Sequence, residues 1–276
     1  NISQQILLLR DTSYILSFKE VTSEPYRDKF IPGAQRYIKA GPLIFPLWCH
    51  FRVYSPTNQK LVVAFNNAVI ADLYFIKDNK VFHKTLSVHQ PFHQRDFSSN
   101  KTVFLLDIPG DTVQNYYLRL KMQSGAEFPL MMYTISAWVE NEHVTSILEG
   151  VYIGWMSIMI LYNLFIYLSI RDISYLFYIL YVAFVTLTNM YLKGLAFEFL
   201  WSDAPALNYF ENIAACLSGI FAILFTASFL RISQYARFLR PVFWGIIGCY
   251  FITIIFIILQ EVFIGFILTE WVSFIM

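Results

Sequence analysis

Charge is scarce in this chain of 276 residues: only 14% of the residues are charged, while 57% are hydrophobic and 18% are aromatic. Soluble domains carry about a quarter of their residues as charged ones, so the composition excludes an ordinary soluble protein. The net charge is +1 and no run of Lys or Arg is present, which argues against the basic surface that nucleic-acid binding requires. We therefore expect a lipid bilayer, and no nucleic acid, among the partners.

Cysteine is scarce too. The three cysteines, Cys49, Cys216 and Cys249, cannot form the disulfide framework of a small secreted domain. We interpret them as small buried hydrophobic residues. The sequence begins at Asn1 and ends at Met276 within an apolar run, so we expect it to be part of a longer protein.

Recognisable catalytic and metal-binding patterns are also lacking. No Ser/His/Asp order, catalytic pair of carboxylates or Gly-rich phosphate loop stands out. The spacing of His83, His89 and His93 matches no established metal-ligand pattern. The sequence therefore predicts no metal, no cofactor and no enzymatic activity in this segment, while a catalytic output domain beyond residue 276 stays open.

Long hydrophobic runs are abundant in the second half. A helix of about 20 apolar residues crosses a bilayer, and its backbone groups are satisfied internally. Four runs are long enough: Ile147–Ile170, Tyr175–Leu192, Ile213–Leu230 and Val242–Leu259. A fifth run starts at Val262. We therefore predict an extracytoplasmic β domain over residues 1–143 and a helical membrane region over residues 144–276.

Arginines mark one side of the predicted membrane region. Arg171 lies between the first two runs, and Arg231, Arg237 and Arg240 lie between the third and fourth. Because basic residues in short loops face the cytoplasm, the arginine-bearing loops are predicted to be cytoplasmic. The N-terminal domain then lies on the opposite side.

Three charged residues fall inside or near the runs. We expect Lys193 and Glu211, at the ends of runs, to extend to the outer interface. The role of Glu270, inside the fifth run, stays open between a relay or ligand contact and a structural position.

The first half has the pattern of short strands separated by turns. Seven strands are predicted: Tyr14–Val21, Leu47–Tyr54, Lys60–Phe65, Asp72–Ile76, Thr102–Ile108, Tyr116–Met122 and Pro129–Ala137. So many strands in about 140 residues predict an all-β jelly roll or β-sandwich. The fold class is therefore an extracytoplasmic β-sandwich followed by a truncated transmembrane helical bundle.

Aromatic and basic side chains alternate along two of these strands. Flat rings and forked donors on one sheet face suit sugar or carboxylate ligands. The predicted ligand-binding residues are Trp48, His50, Arg52, Arg95, Tyr117 and Arg119. The alternative is a solvated outer face with Trp48 in the core.

Several short motifs resemble one known family. They are Gly150–Gly154, Leu161–Phe165, Arg171–Tyr178 and Gly194–Trp201 in the second half, and Trp48–Phe51, Asp72–Phe75 and Pro91–Arg95 in the first. Together they resemble the bacterial seven-transmembrane receptors with diverse intracellular signalling modules (the 7TMR-DISM family) and their type 2 extracellular domain. His50 stands where that family carries an arginine.

The resemblance implies a jelly roll related to carbohydrate-binding modules, and a bacterial inner (plasma) membrane location with a periplasmic or extracellular N-terminal domain. It also implies further spans and a covalently attached cytoplasmic signalling module beyond residue 276. It is consistent with a homodimer, because such modules usually work in pairs.

The predicted function is that of a transmembrane receptor. It would sense a small carbohydrate or carboxylate-like molecule outside and bias the cytoplasmic module. The alternatives are a membrane transporter, a membrane-embedded enzyme or a scaffold protein with a sugar-binding domain. The first four runs have no proline and no ionisable residue near their centres, which weighs against transport.

Overall fold

The computed structural model forms two compact units. The head unit comprises Asn1–Glu142 together with Phe197–Pro205, and the span unit comprises His143–Ala196 together with Ala206–Met276. The chain therefore passes between the units at three places. The structure describes residues 2–33, 38–39, 45–65, 68–77, 80–95, 97, 99–122, 127–259 and 269.

The head unit is built from short antiparallel strands. Within the described residues they are β1 Leu7–Arg10, β2 Ile31–Pro32, β3 Ile38–Lys39, β4 Leu47–Ser55, β5 Gln59–Phe65, β6 Ala68–Lys77, β7 Lys80–Ser87, β8 Thr102–Ile108, β9 Thr112–Met122, β10 Glu127–Phe128 and β11 Met131–Thr134. One sheet has the order β2-β1-β4-β9-β6-β7, a second has the order β11-β5-β8, and β10 pairs with β3.

The main core lies between the six-stranded and the three-stranded sheet. Alternate residues of β4 and β9, such as Phe51 and Leu118, pack with Val63 of β5 and Phe104 of β8. Cys49 is buried among them, and that burial raises the pKa of its thiol. The predicted β-sandwich is confirmed, because hydrophobic alternation on both sheets faces one shared interior.

The predicted strand at Tyr14–Val21 is wrong. Residues Phe18–Val21 form a short helix, α1, that starts at a capping box. Glu20 N–H donates to Ser17 Oγ at 3.4 Å, and Ser17 N–H donates to Glu20 Oε2 at 2.8 Å. The Ser-x-x-Glu spacing carried this signal, but the β-branched and aromatic residues around it favoured a strand.

Helices dominate the rest of the chain. They are α2 Ile135–Ile170, α3 Ile173–Leu192, α4 Leu195–Phe199, α5 Glu211–Phe229, α6 Ile232–Tyr235 and α7 Arg240–Ile258. Segments in α2, α3, α5 and α7 are long and apolar enough to cross a membrane. The fifth predicted run, apart from Thr269, lies outside the described residues, as do Glu270 and the side chain of Glu211.

The first span helix begins twelve residues earlier than predicted, at Ile135 rather than Ile147. The predicted strand Pro129–Ala137 therefore ends early, at Thr134. Thr134 Oγ1 accepts a hydrogen bond from Ala137 N–H at 3.3 Å, which caps the helix start. The result is one unbroken helix of 36 residues.

The span helices α5 and α7 pack closely at Gly219. A Cβ atom there would lie 2.4 Å from Cζ of Tyr250, whose side chain is 1% exposed. Glycine therefore permits this approach. Between α2 and the end of α3, the Lys193 ammonium lies 3.5 Å from the buried carboxylate of Glu149, so Lys193 has a specific partner in addition to solvent.

Candidate ligand-binding surface

Five of the six predicted ligand residues share one face of β4 and β9. The strand register pairs Trp48 with Arg119 and His50 with Tyr117, and Arg52 follows two residues further along β4. Directly opposed residues of antiparallel strands point to the same side of a sheet. The structure therefore brings these five residues together on the outer face of the six-stranded sheet.

Trp48 lies beneath this surface and is completely buried, at 0% exposure. It packs in a small cluster with Leu9, Leu16 and Val21. Among the described residues, neither the indole Nε1 of Trp48 nor the Nε of Arg119 has a hydrogen-bond partner. Trp48 therefore belongs to a small buried core on the outer side of the six-stranded sheet. This is the role that the alternative interpretation of the sequence assigned to it.

Arg119 anchors residues 11–30, here called the covering segment, which packs over Trp48. Its Nη2 donates to the carbonyl of Tyr14 at 3.0 Å and lies 3.9 Å from Asp11 Oδ2. Asp11 is fully buried and accepts backbone N–H bonds from Ser13 at 3.1 Å and Leu16 at 3.0 Å. A buried carboxylate needs such partners, so Arg119 and Asp11 together hold the covering segment in place.

The accessible part of the face is built around a stacked pair of rings. The rings of His50 and Tyr117 are 4.3 Å apart and 10° from parallel. Phe30 meets His50 edge-on at 5.9 Å, and His50 Nε2 lies 3.2 Å from Asn115 Oδ1. Arg52 is exposed beside them. A flat aromatic surface with a polar edge results.

Two arginines set the electrostatics of this surface. Burial lowers the pKa of His50, the Asn115 hydrogen bond raises it, and the charges of Arg52 and Arg27 lower it further. Burial raises the pKa of Tyr117, and the charge of Arg27 opposes that rise. Among the described residues, neither arginine has an ion pair with a carboxylate.

We call Arg27, Phe30, His50, Arg52 and Tyr117 the basic–aromatic patch. Sequence reasoning missed Arg27 and Phe30, because they come from the turn Arg27–Lys29 and the residue after it. That turn lies about 20 residues before β4 in the chain, and no spacing rule links the two segments. Only the path of the covering segment across the sheet brings the ring of Phe30 against His50 and the charge of Arg27 near enough to lower its pKa.

A second ring pair lies further along the same sheet. Tyr74 and His83 are stacked with centroids 4.3 Å apart. Asp72 Oδ1 lies 3.1 Å from His83 Nε2 and accepts the hydroxyl of Thr85 at 2.7 Å. The ring of Phe18 stacks on Tyr74 at 5.0 Å and meets the tyrosine of the basic–aromatic patch edge-on at 5.5 Å. The two pairs thus share one aromatic neighbour.

Arg95 is not part of this patch. It follows the turn Phe92–Gln94, and its guanidinium carbon lies 4.9 Å from the ring centroid of Phe92 and 5.2 Å from that of Phe197. Its Nη1 donates to the carbonyl of Ser99 at 3.0 Å. The structure therefore separates Arg95 from the other five predicted ligand residues by its contacts.

The histidines considered as metal ligands have separate partners. His83 pairs with Asp72, and His93 Nδ1 lies 3.3 Å from Asp203 Oδ1. Over the part of the chain that the structure describes, no group of three His, Cys, Asp or Glu residues is arranged to hold a metal ion.

An open groove of about 380 Å³ lies elsewhere on the head unit. Its lining includes Asn58, Lys60, Lys77 and Asp107. Lys60 Nζ lies 3.8 Å from Asp107 Oδ1, with both side chains mostly exposed. An exposed ion pair of this kind contributes little to the stability of the fold. None of the predicted ligand residues lines the groove.

Comparisons with known proteins bear on both halves of the chain. Residues 3–134 match the family model for the 7TMR-DISM extracellular 2 domain, and residues 145–276 match the model for 7TM diverse intracellular signalling. The chain belongs to the 7TMR-DISM family. As a member it is a membrane protein with an extracellular domain, and it is receptor-like in its signalling role, as its sequence motifs predicted.

Further comparisons add little to the family assignment. No curated protein matches this 7TMR-DISM chain. Among solved structures, it is similar to the β-glucosidase of Kluyveromyces marxianus determined in complex with glucose, with 7% identity and a TM-score of 0.31. That match covers 47% of this chain and 16% of the β-glucosidase. A similarity this low supports no statement about fold or ligand.

Proposed function

We propose that the head unit binds a small carboxylate-bearing molecule, sugar acids included, at the basic–aromatic patch. Binding would bias the span helices and thereby a cytoplasmic signalling module of the full-length receptor. The head would lie outside a bacterial inner membrane, with Arg171 and Arg231 in cytoplasmic turns. The chain itself would contribute no catalytic step.

One observation carries this proposal. The charges of Arg27 and Arg52 both lower the pKa of His50, yet among the described residues no carboxylate pairs with either arginine. Arginine forks match carboxylates with two parallel hydrogen bonds. The stacked rings of His50 and Tyr117 supply a flat apolar surface for the rest of the molecule. An anionic ligand with a flat body fits both features.

A single ligand must bind two receptor states differently to transmit a signal. Phe30 and Arg27 belong to the covering segment, whereas His50, Arg52 and Tyr117 belong to the sheet. A ligand that contacts both would pull the segment and the sheet together. Such differential contact is the physical basis of the proposed response.

Titration calorimetry on the full chain in detergent tests the proposal with glucuronate, acetate and glucose as probes. We expect glucuronate to bind and the double variant Arg27→Gln, Arg52→Gln to weaken its binding by about tenfold or more, since charge-assisted hydrogen bonds contribute the most. The matched control is Lys60→Gln with Lys77→Gln, which removes the same charge from the groove and should leave affinity unchanged.

Two outcomes would overturn the proposal. Glucose that binds as tightly as glucuronate would show that the arginines do not select the ligand. Equal losses of glucuronate affinity in the patch variant and the groove variant would show that the effect comes from net charge alone.

A further inference from the structure

We propose that five residues near Arg95, here called the hub, join the start of the first span helix and the loop between the second and third span helices into one mechanical unit. The hub consists of Phe92, His93, Arg95, Ser99 and Lys101. Arg95 is then a positioning residue of this unit. The role in signalling rests on the proposed receptor function, but the mechanical unit itself does not.

One side of the hub contacts the loop Phe197–Pro205, which belongs to the head unit. The guanidinium of Arg95 packs against the rings of Phe92 and Phe197, and those two rings meet edge-on at 5.6 Å. Phe92 N–H also donates to the carbonyl of Ser202 at 3.0 Å. The loop is therefore held by cation–π and edge-on ring contacts and by a backbone hydrogen bond.

Two polar side chains, His93 and Glu198, add to this contact. His93 Nδ1 lies 3.3 Å from Asp203 Oδ1 at the exposed rim. Burial lowers the pKa of Arg95, and the charge of Glu198 opposes that change. A half-buried guanidinium packed against two rings makes a stronger cation–π contact than an exposed one.

The other side of the hub contacts the start of α2. Lys101 Nζ pairs with Glu142 Oε1, and Ser99 Oγ donates to Glu142 Oε2 at 3.4 Å. Lys101 Nζ also lies 5.3 Å from the ring centroid of Trp138, which is buried. The Lys101 and Glu142 side chains are only 20% exposed, so this pair is better shielded from solvent than the groove pair of Lys60 and Asp107.

The two sides of the hub are linked through Ser99. Arg95 Nη1 donates to the Ser99 carbonyl, while the Ser99 hydroxyl reaches Glu142. Arg95 thus connects the loop Phe197–Pro205 with α2 through a single residue. A displacement of the hub would be felt by both segments.

Chain continuity extends this coupling to three span helices. Glu142 lies in α2, which runs unbroken from Ile135 to Ile170. The loop Phe197–Pro205, whose first three residues belong to α4, leads back to α3 on one side and on to α5 on the other. A rigid helix carries a displacement along its length, so the hub acts on α2, α3 and α5 at once.

Hydrogen–deuterium exchange on the full chain in lipid nanodiscs, without any ligand, tests the inference. In Arg95→Ala we expect exchange to rise about fivefold in residues 197–205 and to rise also in residues 138–142, since a cation–π contact of this kind contributes about 1 kcal/mol. Exchange of β4 should stay unchanged. Arg95→Lys, which keeps the charge but loses the planar fork, should give smaller rises in exchange in the same two segments.

The matched control is Lys60→Ala, which breaks an exposed ion pair of the head unit and should leave both segments unchanged. A rise confined to residues 197–205, or no rise in either segment, would overturn the inference. Because no ligand is present, failure of this test leaves the binding proposal intact, and failure of the glucuronate titration leaves the hub intact.

Discussion

Two histidine–tyrosine pairs on the same sheet face have nearly the same geometry and opposite surroundings. The His50–Tyr117 and Tyr74–His83 rings are both 4.3 Å apart, at 10° and 8° from parallel. His83 meets the carboxylate of Asp72, whereas His50 meets the neutral amide of Asn115. Ring stacking is therefore common to both pairs, and the charge of the neighbouring polar group is what distinguishes them.

The largest effect is expected from Trp48→Ala, which removes the floor that lies beneath this face. Trp48 is completely buried and contacts the ring of Tyr74 at 5.6 Å. Truncating a buried tryptophan costs about 4 kcal/mol, so both pairs should lose order together. Hydrogen exchange of β4 amides in the full chain measures the lost stability.

Tyr54→Ala is the matched control for that substitution. Tyr54 lies on the same face of β4 and is 58% exposed, so its loss should cost less than about 0.5 kcal/mol. Equal destabilisation by the two variants would contradict the assignment of Trp48 to the core.

A smaller but more specific effect is expected from Asn115→Asp. This change places a carboxylate beside His50 and so reproduces the surroundings of His83. We expect the pKa of His50 to rise, because an opposite charge favours the imidazolium. Glucuronate affinity should fall about tenfold, because the new carboxylate competes for the arginines. Histidine C2 exchange measures the pKa, and calorimetry measures the affinity.

Gln59→Glu adds the same charge on β5 of the other sheet and serves as the control for Asn115→Asp. Glucuronate affinity should stay unchanged in this variant. If it fell equally, the position of the carboxylate would be irrelevant and the comparison of the two pairs would lose its meaning.

The smallest effect concerns pH. The pKa of His50 lies below its usual 6.5, because burial and then the charges of Arg52 and Arg27 outweigh the Asn115 hydrogen bond. The unfolded chain therefore binds a proton at His50 more readily than the folded chain does. Protonation of this group accordingly lowers the stability of the fold as pH falls below about 6.5. A bound carboxylate favours the imidazolium, so glucuronate binding should tighten about threefold between pH 7.5 and 5.5.

His50→Gln should abolish this pH dependence, whereas His83→Gln should retain it. Calorimetry of both variants at the two pH values provides the check. A pH dependence that survives in His50→Gln and disappears in His83→Gln would show that His83, rather than His50, is the titrating group.

The sequence predicted the class of fold well but misplaced some boundaries. Alternation at Leu47–Tyr54 and the length of the apolar runs have direct physical causes, in the two-residue period of a strand and the thickness of a bilayer. The segment Tyr14–Val21 was misassigned because its capping box competed with strand-favouring residues. The predicted span starts at Ile147, where the apolar run begins. The helix starts at Ile135, because the more polar residues 135–146 are already helical.

The sequence by itself determined a β-sandwich, apolar spans and family membership, because period, length and short motifs are local properties of the chain. The tertiary structure decided which candidate residues meet. The charge of Arg27 lowers the pKa of His50, and Arg95 meets Phe197 instead of His50, because residues far apart in sequence are brought together only by the path of the backbone. Whether a basic side chain is free to bind a ligand depends on such distant neighbours, and no local pattern encodes them.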